Sequence, residues 1–348
     1  MQILLVIPRV DSSGPVKGAF ALAEYLKTEQ VDVWIATLSE RSHVDSYNEV
    51  DLGQGGWISR SLKLCWWLDC HADLTAVITY CLLPDVVLSV SRHRKKTFCF
   101  LRANNFENYR FQFGRLGILL AIFHTLTIRR SSHILCLNES QKQQLANFGA
   151  KATVIPNFIS ERSLDRYEHN CLVNDVIKLL FVGGLNHRKN PLILVDIANA
   201  LHLEGLEFEL IIVGEGRLRK KLEQKITELR LENVVTLMGH LQDPFKIIKM
   251  CDVFIMPSYS EGTSRAALEA LFFGLYTILR DVDSNSDLVR PGITGNCFTS
   301  KDELCAVLRT VIREKIRRRN KINLKSEFRQ RVAGKRLMAE LKAFEEGK

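Results

Sequence analysis

The chain has 348 residues, 46% hydrophobic and 25% charged, with 48 Lys and Arg against 39 Asp and Glu for a formal charge of +9. The length exceeds the usual single core and favours two domains of similar size, and the composition excludes a largely disordered chain. The positive balance implies an anionic partner, either substrate phosphates or acidic headgroups. Nucleic acid is the weakest choice, because no aromatic-rich binding module or zinc-finger spacing accompanies the charge.

Taken in order, Met1 to Arg9 lacks a basic leader and reads as a first buried strand rather than an export signal. Short β-branched runs then alternate with helical patterns at Ile3 to Ile7, Ala19 to Leu26, Val31 to Ala36, Val86 to Val90, Thr97 to Leu101 and Ile134 to Leu137. Strands alternating with helices predict a parallel sheet covered on both faces, a Rossmann-like half. The longest apolar stretch, Leu116 to Ile128, contains His124 and two threonines and falls short of the roughly 20 residues needed to cross a bilayer. Nine singly scattered cysteines without a CxxC pair suit a reducing, cytoplasmic compartment.

The polar stretch Ser160 to Asp175 reads as a linker, after which the rhythm repeats. Strands are expected at Ile177 to Val182, Glu207 to Val213, Val234 to Met238, Val253 to Met256 and Tyr276 to Leu279. Helices are expected from Pro191, Arg217 and Ser264. The expected organisation is an N-terminal domain over 1–165, a C-terminal domain over 166–324, and an amphipathic helix over 325–348 that packs back on a domain. Doubly wound sheets bind ligands at the carboxyl ends of their strands, so a cleft between the domains is the expected site.

Three stretches carry candidate chemistry. Strand Leu179 to Val182 runs into Gly183, Gly184, Arg188 and Lys189, with Pro191 suited to a first helical turn; glycines and cations at a helix start favour phosphate. An ordinary turn with two exposed cations explains the same residues. Gly214 to Gly216 repeats the arrangement but lacks the third glycine of a dinucleotide fingerprint, which argues against a nicotinamide cofactor. The third stretch is Pro257 to Gly274, where Thr263 or Ser264 can cap a helix and the amides of Gly262 to Ser264 can meet a diphosphate. Glu261 stands just before that helix, answering its dipole if not a ligand. Glu269 lies within it among Ala266, Ala267, Leu268, Ala270 and Leu271, a setting in which a carboxylate suits vicinal hydroxyls.

Together these residues resemble the retaining GT-B glycosyltransferases of family 4. Glu261 and Glu269 are similar to its E-x7-E motif, Phe181 to Leu185 with Lys189 looks like its phosphate-binding segment, and Ile211 to Leu218 and Val235 to His240 look like its following strands. The resemblance implies an α/β GT-B fold, two Rossmann-like doubly wound domains facing across a cleft. It implies a hexosyltransferase that moves a sugar with retention from a nucleotide-diphosphate sugar, UDP-sugar favoured. The acceptor is a glycan or lipid-linked saccharide in bacterial surface polysaccharide biosynthesis. By the same resemblance Glu269 holds the donor ribose, Glu261 the transferred sugar and Lys189 the diphosphate, with Met238 and His240 beside the base. Gly184 stands where the family has an arginine, so Arg188 is the candidate replacement cation.

In the first half, Ser13 to Gly18 looks like the family's first glycine loop, with Gly14 a candidate donor contact, while Arg102, Asn104 and Asn105 follow a strand and are candidates for polar contacts with the acceptor or the transferred sugar, Arg102 and Asn104 as catalytic residues beside Glu261. A turn plus a helix cap explains those three equally well. No metal or other cofactor is expected, and Asp281-Val282-Asp283 reads as a turn rather than a metal-binding DxD. Phe111 to Leu120 with Arg129, Arg130 and Arg92 to Lys96 can set the first domain on an anionic inner membrane face; the competing reading is a helix buried in the domain. The alternatives in function are a nucleotide-sugar epimerase of the same fold and a non-catalytic sugar-nucleotide-binding subunit.

Overall fold

A computed structural model describes residues 1–10, 14–38, 47–131, 133–164, 167, 176–317 and 323–347. Ser13, Cys171, most of the expected linker including the 165/166 boundary, and residues 318–322 lie outside the described residues. The chain divides into two units, Met1–Ser160 with Ser326–Lys348, and Glu161–Lys325. No described helix is long and apolar enough to cross a membrane, and the eight described cysteines are free thiols.

In the first unit the strands are β1 (Gln2–Ile7), β2 (Asp32–Thr37), β3 (Asn48–Glu49), β4 (Ala76–Thr79), β5 (Thr97–Phe100), β6 (His133–Cys136) and β7 (Ala152–Val154). The helices are α1 (Gly14–Thr28), α2 (Trp57–Cys70), α3 (Leu82–Val90), α4 (Asn105–Phe113), α5 (Arg115–Ile128) and α6 (Glu139–Ala146). All pairings are parallel, in the order β3-β2-β1-β4-β5-β6-β7. Alternate residues of a strand face opposite sides. Ile3, Leu5, Ile7, Phe98 and Phe100 therefore meet α1 on one face. Leu4 and Val6 meet α2 and α3 on the other, where Cys99 meets α5.

Val86 to Val90 is helical, within α3, and the strand beside β1 is Ala76–Thr79. A short apolar run has no periodicity to separate strand from helix, and Pro84, in the first turn of α3, is tolerated there.

The second unit contains α7 (Glu161–Leu164), β8 (Ile177–Val182), α8 (Leu192–Leu203), β9 (Phe208–Val213), α9 (Arg219–Glu228), β10 (Val235–Gly239), α10 (Phe245–Ile248), β11 (Val253–Met256), α11 (Arg265–Phe272), β12 (Tyr276–Arg280), β13 (Gly295–Phe298) and α12 (Lys301–Arg313). Its sheet is also parallel, ordered β10-β9-β8-β11-β12-β13. The winding reverses between β8 and β11, so their carboxyl ends border the crevice at the switch point.

The last helix, α13 (Gln330–Glu346), rejoins the first unit. Leu337, Met338 and Leu341 enter the core beside α1, Gln330 donates to the carbonyl of Ala21 at 3.0 Å, and Phe344 packs edge-on against Phe98 at 5.2 Å.

Candidate active site

The loops leaving β8 and β11 are stitched together at the switch point. Tyr259 donates its amide to the carbonyl of Arg188 at 2.8 Å, and the Arg188 guanidinium donates to the carbonyl of Ser260 at 2.6 Å. Lys189 Nζ and a carboxylate oxygen of the buried Glu261 form an ion pair that is part-buried on the lysine side, and Arg188 stands 3.6 Å from the same oxygen. Burial disfavours the charged form of Glu261, but Lys189 and Arg188 outweigh it and hold the carboxyl below its ordinary range. The Lys189 ammonium is lowered from its ordinary value, first by burial and then by Arg188, against the pull of Glu261. Two cations and one carboxylate thus converge just past the carboxyl ends of β8 and β11.

Local sequence explains the placement. Asn186 accepts the amide of Lys189 at 3.0 Å, closing the turn that aims the lysine. Ser264 caps α11 by accepting the amide of Ala267 at 3.3 Å, which fixes Gly262 and Thr263 in the approach to that helix. Gly214 and Gly216 have φ of +146° and +156°. A Cβ on either would run into the carbonyl of Gly183 or Leu185. These glycines let two backbones meet; they shape the back of the Gly183-Gly184 loop rather than forming a second phosphate cradle.

Asp283, expected only in a turn well past this loop, reaches it. One of its oxygens accepts the amide of Glu261 at 2.9 Å and the hydroxyl of Ser260 at 3.3 Å. Arg280 adds a second brace, donating to the carbonyl of Pro257 at 3.2 Å and lying 4.8 Å over the Tyr259 ring. Neither brace had a spacing that could reveal it, because both depend on β12 lying beside β11.

Glu269 is buried as its apolar neighbours suggest, but Arg265 one turn earlier donates to it at 3.0 Å. This gives the carboxylate a structural partner as well as a candidate ligand. The i,i+4 spacing was in the sequence and is the signal that identifies it. His240 follows edge strand β10 and is exposed, as is Met238, while Gly239 accepts the amide of Gly214 at 2.8 Å.

Arg102, Asn104, Asn105 and Gly14 belong to the first unit. Arg102 donates to the side chain of Asn157 and lies 4.7 Å over the Phe100 ring. Asn104 caps α4 by accepting the amide of Glu107 at 3.3 Å, and Asn105 lies 3.0 Å from the ring of His124. Gly14 opens α1, and the residues just before it lie outside the described residues. Among the described residues no three His, Cys, Asp or Glu side chains converge as a metal set.

Residues 169–327, which hold both stitched loops, match the glycosyl transferases group 1 family. The second unit belongs to this family. A stretch of 180 residues is 29% identical to the UDP-Gal:alpha-D-GlcNAc-diphosphoundecaprenol alpha-1,3-galactosyltransferase of Escherichia coli, 47% of this chain and 46% of that protein. A stretch of 188 residues is 27% identical to the GalNAc-alpha-(1->4)-GalNAc-alpha-(1->3)-diNAcBac-PP-undecaprenol alpha-1,4-N-acetyl-D-galactosaminyltransferase of Campylobacter jejuni, 51% of this chain and 50% of that protein. The chain spans about half the length of the curated relatives it matches. HepE of Anabaena, solved with UDP and glucose, shares the fold over 98% of this chain and 99% of that one, with a TM-score of 0.76 at 16% identity. The glycosyl transferases group 1 unit is thus one half of a GT-B fold whose two halves are both parallel, Rossmann-like sheets.

Proposed function

We propose that the chain is a retaining glycosyltransferase that moves a sugar from a nucleotide-diphosphate sugar, UDP-sugar favoured, to a lipid-linked saccharide at an anionic membrane face. The observation that carries the reading is the Lys189–Glu261 ion pair at the switch point of a glycosyl transferases group 1 unit. Its chemistry suits the donor. As the bond from the anomeric carbon to the diphosphate oxygen breaks, negative charge grows on the leaving group, and Lys189 and Arg188 are the cations beside it. The carboxylate that neutralises them in this structure gives way to the diphosphate, which frees Glu261 to accept a hydroxyl of the transferred sugar. Glu269, one face of α11 further on, accepts ribose hydroxyls. The acceptor hydroxyl oxygen forms the new bond to the anomeric carbon, and its proton passes to the departing diphosphate.

A lipid-linked acceptor is supported by the activities named for the Escherichia coli and Campylobacter relatives, and UDP by the Escherichia coli one. Metal independence is our reading, supported by Lys189 and Arg188 as a source of positive charge and by the engagement of Asp283 with Ser260 and the Glu261 amide.

A panel of UDP- and GDP-sugars with a polyprenyl-diphosphate saccharide tests all of this. The expected result is acceptor-dependent release of nucleoside diphosphate, an α-linked product by NMR from an α-linked donor, and no loss in EDTA. Interconversion of free nucleotide sugars would establish an epimerase instead, and donor binding without turnover a non-catalytic subunit.

A further inference from the structure

Helix α5 carries its polarity inside out. Its buried side holds His124, Thr125 and Thr127 beside Gly117, Ala121 and Ile128. Its outer side exposes Leu116, Leu119, Phe123 and Leu126, with Leu116 at 72%. Steps of three, four and three make these four one stripe. An ordinary surface helix of a soluble domain turns such a stripe to the core.

A buried network fixes the orientation. His124 Nε2 lies 3.0 Å from the carboxylate of Asp85 on α3, and both side chains are fully enclosed. Thr79 donates to the other oxygen of Asp85. The Tyr109 hydroxyl and the Asn105 amide each lie 3.0 Å from His124 Nδ1. With Nε2 donating to Asp85, Nδ1 accepts from both, so one imidazole ties α3, α4 and α5 together. Rolling α5 to bury its leucines would leave a buried carboxylate without its partner, a large cost.

The exposure is not confined to α5. Phe111 and Phe113 at the end of α4, Val90 at the end of α3, and Trp57, Ile58, Leu62 and Trp66 on α2 are also exposed. With Ile118, twelve of the seventeen exposed large apolar side chains among the described residues lie on α2 to α5; the other five are in the second unit. Helices α2, α3 and α5 cover the same face of the first sheet. Soluble monomers rarely gather exposed apolar groups in this way.

Charge identifies what covers the face. No acidic residue occurs between Glu107 and Glu139, a span containing Arg110, Arg115, Arg129 and Arg130, all exposed. The basic turn Arg92–Lys96 adjoins α3 in the same layer. A second copy would set these cations against themselves in a two-fold pair. An anionic bilayer complements both features, acyl chains for the apolar stripe and phosphates for the arginines.

We propose that the outer face of α2 and of the α4–α5 pair embeds in an anionic lipid bilayer. It gives a place to the membrane contact proposed above and rests on that contact, not on the transfer chemistry. The test is flotation of the full chain with phosphatidylglycerol and with phosphatidylcholine vesicles. Binding to the first is expected to exceed binding to the second by about tenfold or more at low salt and to fall as salt rises. The triple variant Leu119→Gln, Phe123→Gln, Trp66→Gln should lose it about tenfold while melting at the same temperature. Leu203→Gln, which removes an exposed leucine of the second unit, should float like the parent. Failure to float, or flotation unchanged in the triple variant, overturns the proposal, as does a dimer that the triple variant dissociates. Transfer to a short-chain, water-soluble acceptor is the independent readout: its absence beside normal flotation would sink the glycosyltransferase reading and leave the membrane face standing.

Discussion

Lys189 and Glu261, 72 residues apart in the chain, form a part-buried ion pair that joins the loop after β8 to the loop after β11. The pair exists because those two strands are neighbours at the point where the sheet reverses its winding. On the proposed function, donor binding is an exchange of partners in which a diphosphate replaces the carboxylate on Lys189 and a sugar hydroxyl meets the carboxylate left behind.

Breaking the pair from one side should be costly. Lys189→Met leaves Glu261 buried with Arg188 as its nearer remaining cation, and a loss of about 3 kcal/mol is expected in urea unfolding of the ligand-free chain. Glu261→Gln alone should cost less, and the double variant should recover part of the Lys189→Met loss. Additive losses would show that the two side chains are not coupled. Turnover should fall by about a hundredfold or more in either single variant, as for loss of a charge-stabilising contact at a leaving group.

The same pair sets a pH dependence. Both groups have folded values below their ordinary ones, so the unfolded chain binds more protons and stability rises with pH in each case. For Glu261 the contribution is complete above its unfolded value, about 4.3, and is lost as pH falls through the lower folded value. Lys189 adds a rise on the alkaline side, between its lowered folded value and its ordinary one. Thermal melts of the parent should fall more steeply below the ordinary carboxylate range than those of Glu261→Gln, and identical acid limbs would remove Glu261 from the account.

Gly184 has room for the arginine that the family places there. Its φ is not positive, and an added Cβ meets the Asn186 amide at 3.2 Å with nothing else inside 3.9 Å. Gly184→Arg is expected to fold with a stability change within about 1 kcal/mol and to bind donor more tightly, seen as a lower KM. Arg188→Ala should raise it. Unchanged donor affinity in Arg188→Ala would end its candidacy as the second phosphate cation.

His124 holds three helices through one ring. His124→Leu removes the partner of the buried Asp85 carboxylate and should cost about 3 to 5 kcal/mol. Tyr109→Phe removes a single hydroxyl and should cost about 1 kcal/mol. Urea midpoints check both, and equal losses would contradict a carboxylate-centred network.

Legibility followed the range of the interactions. The βα rhythm, the Ser264 cap and the Gly183 loop are local patterns, and all were readable. Val86 to Val90 was not, because five apolar residues carry no period, and the strand Ala76–Thr79 is equally short. The Arg265–Glu269 pair is legible at its i,i+4 spacing. Asn104 and Asn105 show the reverse: the cap was read as one of two choices, while the His124 partner of Asn105 lies on another helix and leaves no local trace.

By itself the sequence determined most of the elements, the two-sheet α/β class, the glycine and cation content of the strand-end loops, and the absence of acid between Glu107 and Glu139. These depend on residues a few positions apart, where propensity, capping and spacing act. Tertiary structure decided which loops meet, that Asp283 braces Glu261, that Lys189 and Glu261 neutralise one another, and that α5 turns its leucines outward. Each of these rests on contacts between strands or helices far apart in the chain, and the strand order that creates them is set by packing of whole sheets rather than by any local pattern.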